Sequence, residues 1–300
     1  MKHVFVINPA AGKKDLSAEI VKSIENLDAK IDYETYITKK KGDGTTFVKQ
    51  YLEEHFQEET IRFYACGGDG SLYDVVNGIG DHKNIEIAQV ATGTGNDFVK
   101  SVGKVEDFQN IEKLINAKTK KIDLLKVNGH YCINIADAGF DGEVGYTSMS
   151  LKRCPLFNGY TAYLAATLIS LLFKISCWMK VSIDDKVLYE GKTLLAAIAN
   201  GHTYGGGFFC APLAKIDDGI IDVCLVKKIS RFRIASLIKS YKIGTHISDE
   251  KNKSFILYEK CHKVLIETKK NVAYGIDGEL FKGKRIEIEI LPSFLSFVQP

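Results

Sequence analysis

The sequence has no Cys-x-x-Cys pair, and its seven cysteines follow no regular spacing. That odd, scattered set argues against a disulfide framework or a cysteine zinc site, and for free thiols in a reducing compartment. A dominant charge is missing as well. Forty basic and 37 acidic residues leave a net +3, so nothing calls for a nucleic-acid partner. The basic clusters Lys39-Lys40-Lys41, Lys118 with Lys120-Lys121, and Lys227-Lys228 with Arg231 and Arg233 read as solvated surface. No uninterrupted apolar run reaches the roughly 20 residues a membrane span needs. The longest, residues 160–173, is broken by Lys174, resumes over 175–179, and reads as a buried or interfacial helix. The run at 4–7 is too short for a signal peptide and reads as a first strand. Internal repeats and low-complexity tracts are also absent. Three hundred residues suggest about two domains with ample core, in a protein that is soluble or peripherally bound.

What is present begins with alternation. Strands are expected at residues 4–7, 31–37, 61–66 and 85–90. Between them lie helical patterns marked by Leu16, Ile20, Ile24 and Leu27, by Phe47, Val48, Tyr51, Leu52 and Phe56, and by Leu72, Val75, Val76 and Ile79. Such alternation implies a parallel sheet covered on both faces, with ligands at the carboxyl ends of its strands. Three loops fall at that edge: Asn8-Pro9-Ala10-Ala11-Gly12, Gly67-Gly68-Asp69-Gly70-Ser71, and Gly93-Thr94-Gly95-Asn96-Asp97. Their glycines permit positive φ and close approach of backbone to ligand, and a helix start favours phosphate. Asp69 is out of place beside phosphate unless a cation lies between them. Ser71 with Asp74 resembles a capping box.

After Asp123 the pattern changes. Strands are expected at 131–138, 181–183, 194–199, 220–226, 263–268 and 286–290, with helices at 160–174 and 232–243. This describes a second, mainly antiparallel domain of β-sandwich type. The expected division is an α/β domain over 1–125 and a β-sandwich domain over 126–285. A final strand at about 286–300 is free to return to the first domain, and the active site is expected in the interdomain cleft.

The common phosphate signatures fail. Gly12-Lys13-Lys14 lacks the first glycine and the last hydroxyl of a P-loop, and Gly93-x-Gly95 ends at Phe98 where a dinucleotide fingerprint needs glycine. The His-Arg-Asp and Asp-Phe-Gly tripeptides of protein kinases are absent. The three loops, followed in order by Asn200-Gly201, Gly205-Gly206-Gly207, Ala211-Pro212-x-Ala214, Asp217-Asp218-Gly219 and Asp277-Gly278-Glu279, closely resemble the bacterial diacylglycerol kinase-like family of lipid kinases, over essentially the whole chain. Two departures are minor: Ser71 replaces a commoner threonine, and Ala91-Thr92 stands where a proline is usual.

That resemblance implies a fold like NAD kinases and phosphofructokinases, and transfer of the γ-phosphoryl group of ATP to a lipid hydroxyl, diacylglycerol foremost, to give phosphatidate. Phosphoryl transfer asks for positioning and charge neutralisation. The nucleotide site would comprise Asn8, Pro9, Ala10, Ala11, Gly12, Thr38, Gly67, Gly68, Asp69, Gly70, Ser71, Thr94 and Asn96. Asp69 and Asp97 would hold catalytic Mg²⁺, with Asp123 near the same network, since hard cations take oxygen ligands. The competing reading of Asp97 is a helix N-cap. Glu279 is the implied general base, against the reading of Asp277-Gly278 as a hairpin turn with an exposed glutamate. Lys215, Asp218 and Ile220 match a structural Mg²⁺ site of some relatives. His202 and Tyr204 border the cleft, a packed histidine being the simpler reading.

A lipid alcohol requires access to a bilayer. Residues 231–239 mix cations with bulky apolar groups, as interfacial helices do, and 160–173 is a candidate wall for acyl chains. The expected place is cytoplasmic, peripheral at the inner membrane face, and a homodimer is compatible with the sequence. The alternatives are an NAD kinase, which shares Gly-Gly-Asp-Gly, and a non-catalytic nucleotide or lipid sensor.

Overall fold

The computed structural model describes residues 1–27, 30–55, 60–82, 84–151, 165–166, 169–170 and 176–300. The chain opens with β1 (Lys2–Ile7), α1 (Ser17–Glu25), β2 (Asp32–Ile37), α2 (Asp43–His55), β3 (Ile61–Gly67), α3 (Asp69–Ile79) and β4 (Glu86–Ala91). These four strands run parallel in the order β4-β3-β1-β2. Every residue of β3 is buried, as a strand covered on both faces requires. Ile20 and Ile24 of α1, Val48 and Leu52 of α2, and Leu72, Val75, Val76 and Ile79 of α3 enter one core, as their spacing predicts.

The helix start after β3 differs from expectation. Gly68 is the N-cap of α3, so Ser71 and Asp74 lie within the helix and form no capping box. Ser71 Oγ instead accepts from Asn8 Nδ2 at 3.1 Å, and Asp74 accepts from Thr45 Oγ1. Tertiary partners have taken both side chains.

The second half contains α4 (Ile111–Asn116), β5 (Lys118–Val127), β6 (His130–Cys132), β7 (Ile135–Gly139), α5 (Phe140–Leu151), β8 (Cys177–Ile183), β9 (Lys186–Ala199), β10 (Ile221–Lys227), α6 (Arg231–Ile243), β11 (Ile256–Cys261), β12 (Lys263–Ile276) and β13 (Glu279–Gln299). Apart from the β13–β4 contact, its strand pairs are antiparallel. The α/β first half and mainly antiparallel second half thus agree with the sequence reading. The apolar segment 160–173 lies almost entirely outside the described residues.

The strand expected over 131–138 is two strands with a bend between them. The Asp277 carboxylate takes the N–H groups of Ile133, Asn134 and Ile135 at 2.8, 3.0 and 3.1 Å, which a continuous ladder would have used. Helices α4 and α5 and strand β11 have no counterpart in the sequence reading, and β13 joins the strand expected at 286–290 to the final strand expected to about 300 and starts earlier, at Glu279. β13 runs antiparallel to β12 and β5, shifts register between Leu291 and Leu295, then lies parallel to β4 with Ser296 opposite Glu86. Its end supplies Phe294, Leu295, Phe297 and Val298 to the core of the parallel half. A second core fills the sandwich, and a third packs beneath α6.

Replacing Asp277 by alanine would strand three backbone N–H groups within this bend. A loss of about 3 kcal/mol or more is expected, readable as a fall in melting temperature and in the denaturant midpoint. An unchanged midpoint would show that the bend holds without this carboxylate.

Candidate active site

The three glycine-rich loops nest at the carboxyl edge of the parallel strands. A Cβ on Gly93 would stand 2.2 Å from the Cα of Gly68, and one on Gly12 would stand 2.5 Å from the Thr92 carbonyl oxygen. Glycine is required here for loop-to-loop packing. Asn8 fastens the first loop to α3 through Ser71, while its Oδ1 accepts the N–H of Ala10 at 3.0 Å. Asn96, at φ +49°, donates to the Gly93 carbonyl at 2.8 Å.

Asp69 and Asp97 converge. Asp69 Oδ1 accepts the N–H groups of Asp97 and Phe98 at 2.7 and 3.2 Å. A Cβ on Gly95 would lie 2.8 Å from Asp69 Oδ2 and 3.6 Å from Asp97 Oδ2, so both carboxylates look onto the space over that glycine. Burial pushes Asp69 up to about 6. The Asp97 carboxylate adds to the rise, and the N–H groups of Phe98 and Asp97 pull it partway back. Asp97 precedes a short 3₁₀ turn but makes no capping bond with its side chain. Its Oδ1 instead pairs with Lys100 Nζ and its Oδ2 accepts the N–H of Gly206, both at 2.7 Å. Gly206 comes from the second half, so this contact closes one side of the cleft.

Glu279 follows the Asp277-Gly278 turn, whose residues lie at φ +49° and +87°, as an Asp-Gly hairpin needs. The hairpin reading and the site reading therefore describe one feature: the turn aims Glu279 into the cleft. A Cβ on Gly70 would sit 3.7 Å from Glu279 Oε1, and Oε2 is ion-paired with Lys41 Nζ.

Two cavities meet at Gly70 and Glu279. The larger, about 680 Å³, has Asp69, Asp97 and Thr94 at one end and a wall including Phe140, Leu194, Phe208, Ile234, Leu237 and Leu280. The smaller, about 260 Å³, is lined by Asn8, Pro9, Ala10, Thr38, Ser71 and Asp74 with Lys39, Lys40 and Lys41. The sequence reading set these three lysines aside as solvated surface. They are exposed but border the smaller cavity. Ala11, Gly12, Gly67 and Asn96 are not in either lining and serve the loops themselves.

Asp123, expected near the same metal network, is in neither cavity lining and accepts from the N–H groups of Ser293 and Gly219, each at 2.7 Å. It thereby ties the register shift of β13 to the loop at 216–219. In that loop Asp218 Oδ1 accepts the Ile220 N–H at 3.2 Å, and Lys260 Nζ lies 3.5 Å from both Asp218 and the buried Asp222. Lys215 is in neither cavity lining. Among the described residues, no three His, Cys, Asp or Glu side chains gather as a ready metal cage. His202 stacks on Phe209 and contacts Thr203 Oγ1, as a packed histidine would, while Tyr204 lines the larger cavity.

Comparison with known proteins shows the family and the fold. The diacylglycerol kinase catalytic domain family matches residues 2–127, and the YegS C-terminal NAD kinase beta sandwich-like domain matches residues 134–299. The chain is 30% identical over 280 residues to a diacylglycerol kinase of Staphylococcus carnosus (strain TM300), spanning 91% of this chain and 87% of that protein. A crystal structure of a diacylglycerol kinase from Bacillus anthracis strain Sterne superposes with TM-score 0.70 at 23% identity, covering 100% and 97% of the two chains. An NAD kinase from Archaeoglobus fulgidus in complex with ATP gives TM-score 0.52 at 13% identity, covering 99% and 93%. Both structural likenesses speak to the fold alone.

The raised Asp69 makes stability depend on pH. An acid whose folded value lies above its ordinary 3.8 holds its proton more tightly when folded. Its contribution is therefore full below about 3.8 and is lost as pH rises towards about 6. In chelated protein, Asp69→Asn should escape that loss and gain on the order of 2–3 kcal/mol over wild type between pH 4 and pH 7. Parallel denaturation midpoints for the two proteins across that range would contradict it.

Proposed function

The chain belongs to the diacylglycerol kinase-like family of lipid kinases, and from that premise we propose that it transfers the γ-phosphoryl group of ATP to the free hydroxyl of diacylglycerol, giving phosphatidate and ADP. As a lipid kinase it is a phosphotransferase with an alcohol acceptor and ATP as donor. The observation that carries the finer reading is the position of Glu279, where a smaller, lysine-bordered cavity meets a larger and more apolar one.

In this reading the triphosphate lies in the smaller cavity against the 8–12 loop, Thr38, the start of α3 and the three lysines. The N–H groups at the start of α3 offer donors to phosphate oxygens. The acyl portion of the lipid occupies the apolar cavity, with its hydroxyl at the junction. The hydroxyl oxygen forms the new bond to Pγ, the bond from Pγ to the β,γ-bridging oxygen breaks, and Glu279 accepts the hydroxyl proton. Glu279 thus needs reach to the hydroxyl and an unoccupied oxygen.

Asp69 and Asp97 are the groups that would hold Mg²⁺, directly or through water. Their fit rests on two hard oxygen donors sharing the space over Gly95 and on the strain that burial places on Asp69. When bound, the ion would neutralise charge on the phosphates. Lys100 and the Gly206 N–H keep Asp97 turned to the cleft, and Asp123 serves as a brace for the 216–219 loop. A structural Mg²⁺ at Lys215, Asp218 and Ile220 would have to share that loop with the Lys260 ammonium.

Membrane contact is assigned to α6. Its inner face, Ile234, Leu237 and Tyr241, walls the apolar cavity. Its outer face presents Phe232, 92% exposed, with Ile243 among Arg231, Arg233, Lys239 and Lys242. Apolar anchors ringed by cations suit an anionic bilayer, and no helix among the described residues is long and apolar enough to cross one. An NAD kinase reading shares the fold, but a large apolar cavity at the base has no use for a soluble nucleotide acceptor.

Glu279→Gln should lower kcat by about 10²–10⁴-fold with intact folding, measured with radiolabelled ATP and extracted lipids, with NAD, or with neither. Label in NAD and in no lipid would overturn the lipid reading; near-normal turnover in the variant would remove Glu279 from the base role. For α6, Phe232→Glu should weaken sedimentation with anionic vesicles several-fold while leaving activity on a short-chain, detergent-dispersed diacylglycerol unchanged. Equal sedimentation of wild type with anionic and neutral vesicles would remove the cationic part of the argument.

A further inference from the structure

One oxygen of the base is already taken: Lys41 Nζ is ion-paired with Glu279 Oε2, while Oε1 is the oxygen that looks onto Gly70 at the cavity junction. The lysine reaches Oε2 from the loop between β2 and α2, on the nucleotide side of the junction. It is the meeting of the two cavities that puts these residues within reach of each other.

The loop is firmly rooted while its lysine is not. Asp43 Oδ2 accepts the Lys39 N–H at 2.7 Å and the Tyr36 hydroxyl at 3.1 Å, and the Asp43 N–H donates to the Lys40 carbonyl at 3.2 Å. Beyond that root the Lys41 side chain is 75% exposed, whereas the Glu279 side chain is 21% exposed. With the lysine so exposed, water and salt weaken the pair, so a stronger anion would draw the ammonium away. The surroundings explain why it rests on Glu279 without one. Asp74 lines the same cavity, and its carboxylate and that of Glu279 raise the local negative charge. Lys39 and Lys40 line the cavity too but are not paired with Glu279.

Resting on the assignment of the smaller cavity to ATP phosphates, we infer that Lys41 is a nucleotide-released latch on Glu279. Without nucleotide the ammonium covers Oε2. When the triphosphate enters, Lys41 moves to the phosphate oxygens, which carry more charge than a single carboxylate, and Oε2 turns free towards the apolar cavity. Lys41 is thus a positioning residue: it acts through Glu279 and ties exposure of the base to presence of the donor. An empty nucleotide site thus keeps Oε2 of the base covered by the ammonium group.

The test reads Glu279 directly and needs no turnover. Wild type, Lys41→Gln and Lys41→Arg are labelled with a water-soluble carbodiimide and a small amine, with and without the imido analogue of ATP and Mg²⁺. The analogue is used at concentrations that calorimetry shows to be saturating, and mass spectrometry follows the peptide containing residue 279. In wild type the analogue should raise the Glu279 labelling rate about fivefold or more, the lower range of coupling between two sites. Lys41→Gln should label rapidly in both conditions, with a ratio near one, and Lys41→Arg should keep the nucleotide dependence. Labelling at Asp249, on an exposed loop away from the cleft, serves as the internal reference. A wild-type rate that stays level or falls when the analogue is bound would overturn the latch, as would a Lys41→Gln protein that keeps the nucleotide dependence. The outcome is separate from the base assignment, which stands or falls on turnover by Glu279→Gln.

Discussion

The Asp277 carboxylate accepts three N–H groups from a single bend of the chain, and the cleft is built outward from that grip. The bend separates β6 from β7, so β7 can pair with β12 on one side and β9 on the other. The same residue begins the left-handed turn that reverses β12 into β13 and sets Glu279 at the cavity junction. Buried carboxylates need such donors to be tolerated away from water. Here the donors come from peptide groups about 140 residues earlier in the chain, so one electrostatic requirement fixes both the strand break and the placement of the glutamate.

The opposite wall follows a different logic, that of volume. Gly68 and Gly93 approach each other more closely than side chains would allow, and that closeness carries Asp69 towards Asp97. Two like-charged, buried groups held together would separate if their loops could. The Asp97 and Phe98 N–H groups, the Lys100 ammonium and the Gly206 N–H keep them in place. The site therefore stores unfavourable charge within a rigid frame, as an acceptor for a cation or a cationic side chain should.

Much of this was legible in the sequence where the signal is local. The nested loops announce themselves because only glycine satisfies their close approach, and the helices α1 to α3 because their apolar residues recur on one face. Asp69, Asp97 and Glu279 could be named from their motifs, but their convergence comes from the family resemblance, since no local pattern relates residue 69 to residue 279. What sequence missed is long-range. The strand break at 133–134 depends on Asp277, the freedom of Asp97 from capping depends on Gly206, and the pairing of Lys41 depends on Glu279. Helix α5 escaped notice because Gly142, Gly145 and Ser148 interrupt its apolar period, while Gly142 and Gly145 admit close contact with β12 and Leu280.

Strand β13 has a consequence for how the molecule is made. It contributes Phe294, Leu295, Phe297 and Val298 to a core whose other members lie almost entirely within the first 133 residues. As the chain leaves the ribosome, the parallel sheet lacks that strand beside β4 and β5 until nearly 170 more residues have been synthesised. The nascent first half must wait with an open apolar flank, the circumstance in which partly folded chains engage chaperones or one another. Contacts of such large sequence separation also slow folding. Completion of the parallel half is therefore a late event in biogenesis, timed by the second half.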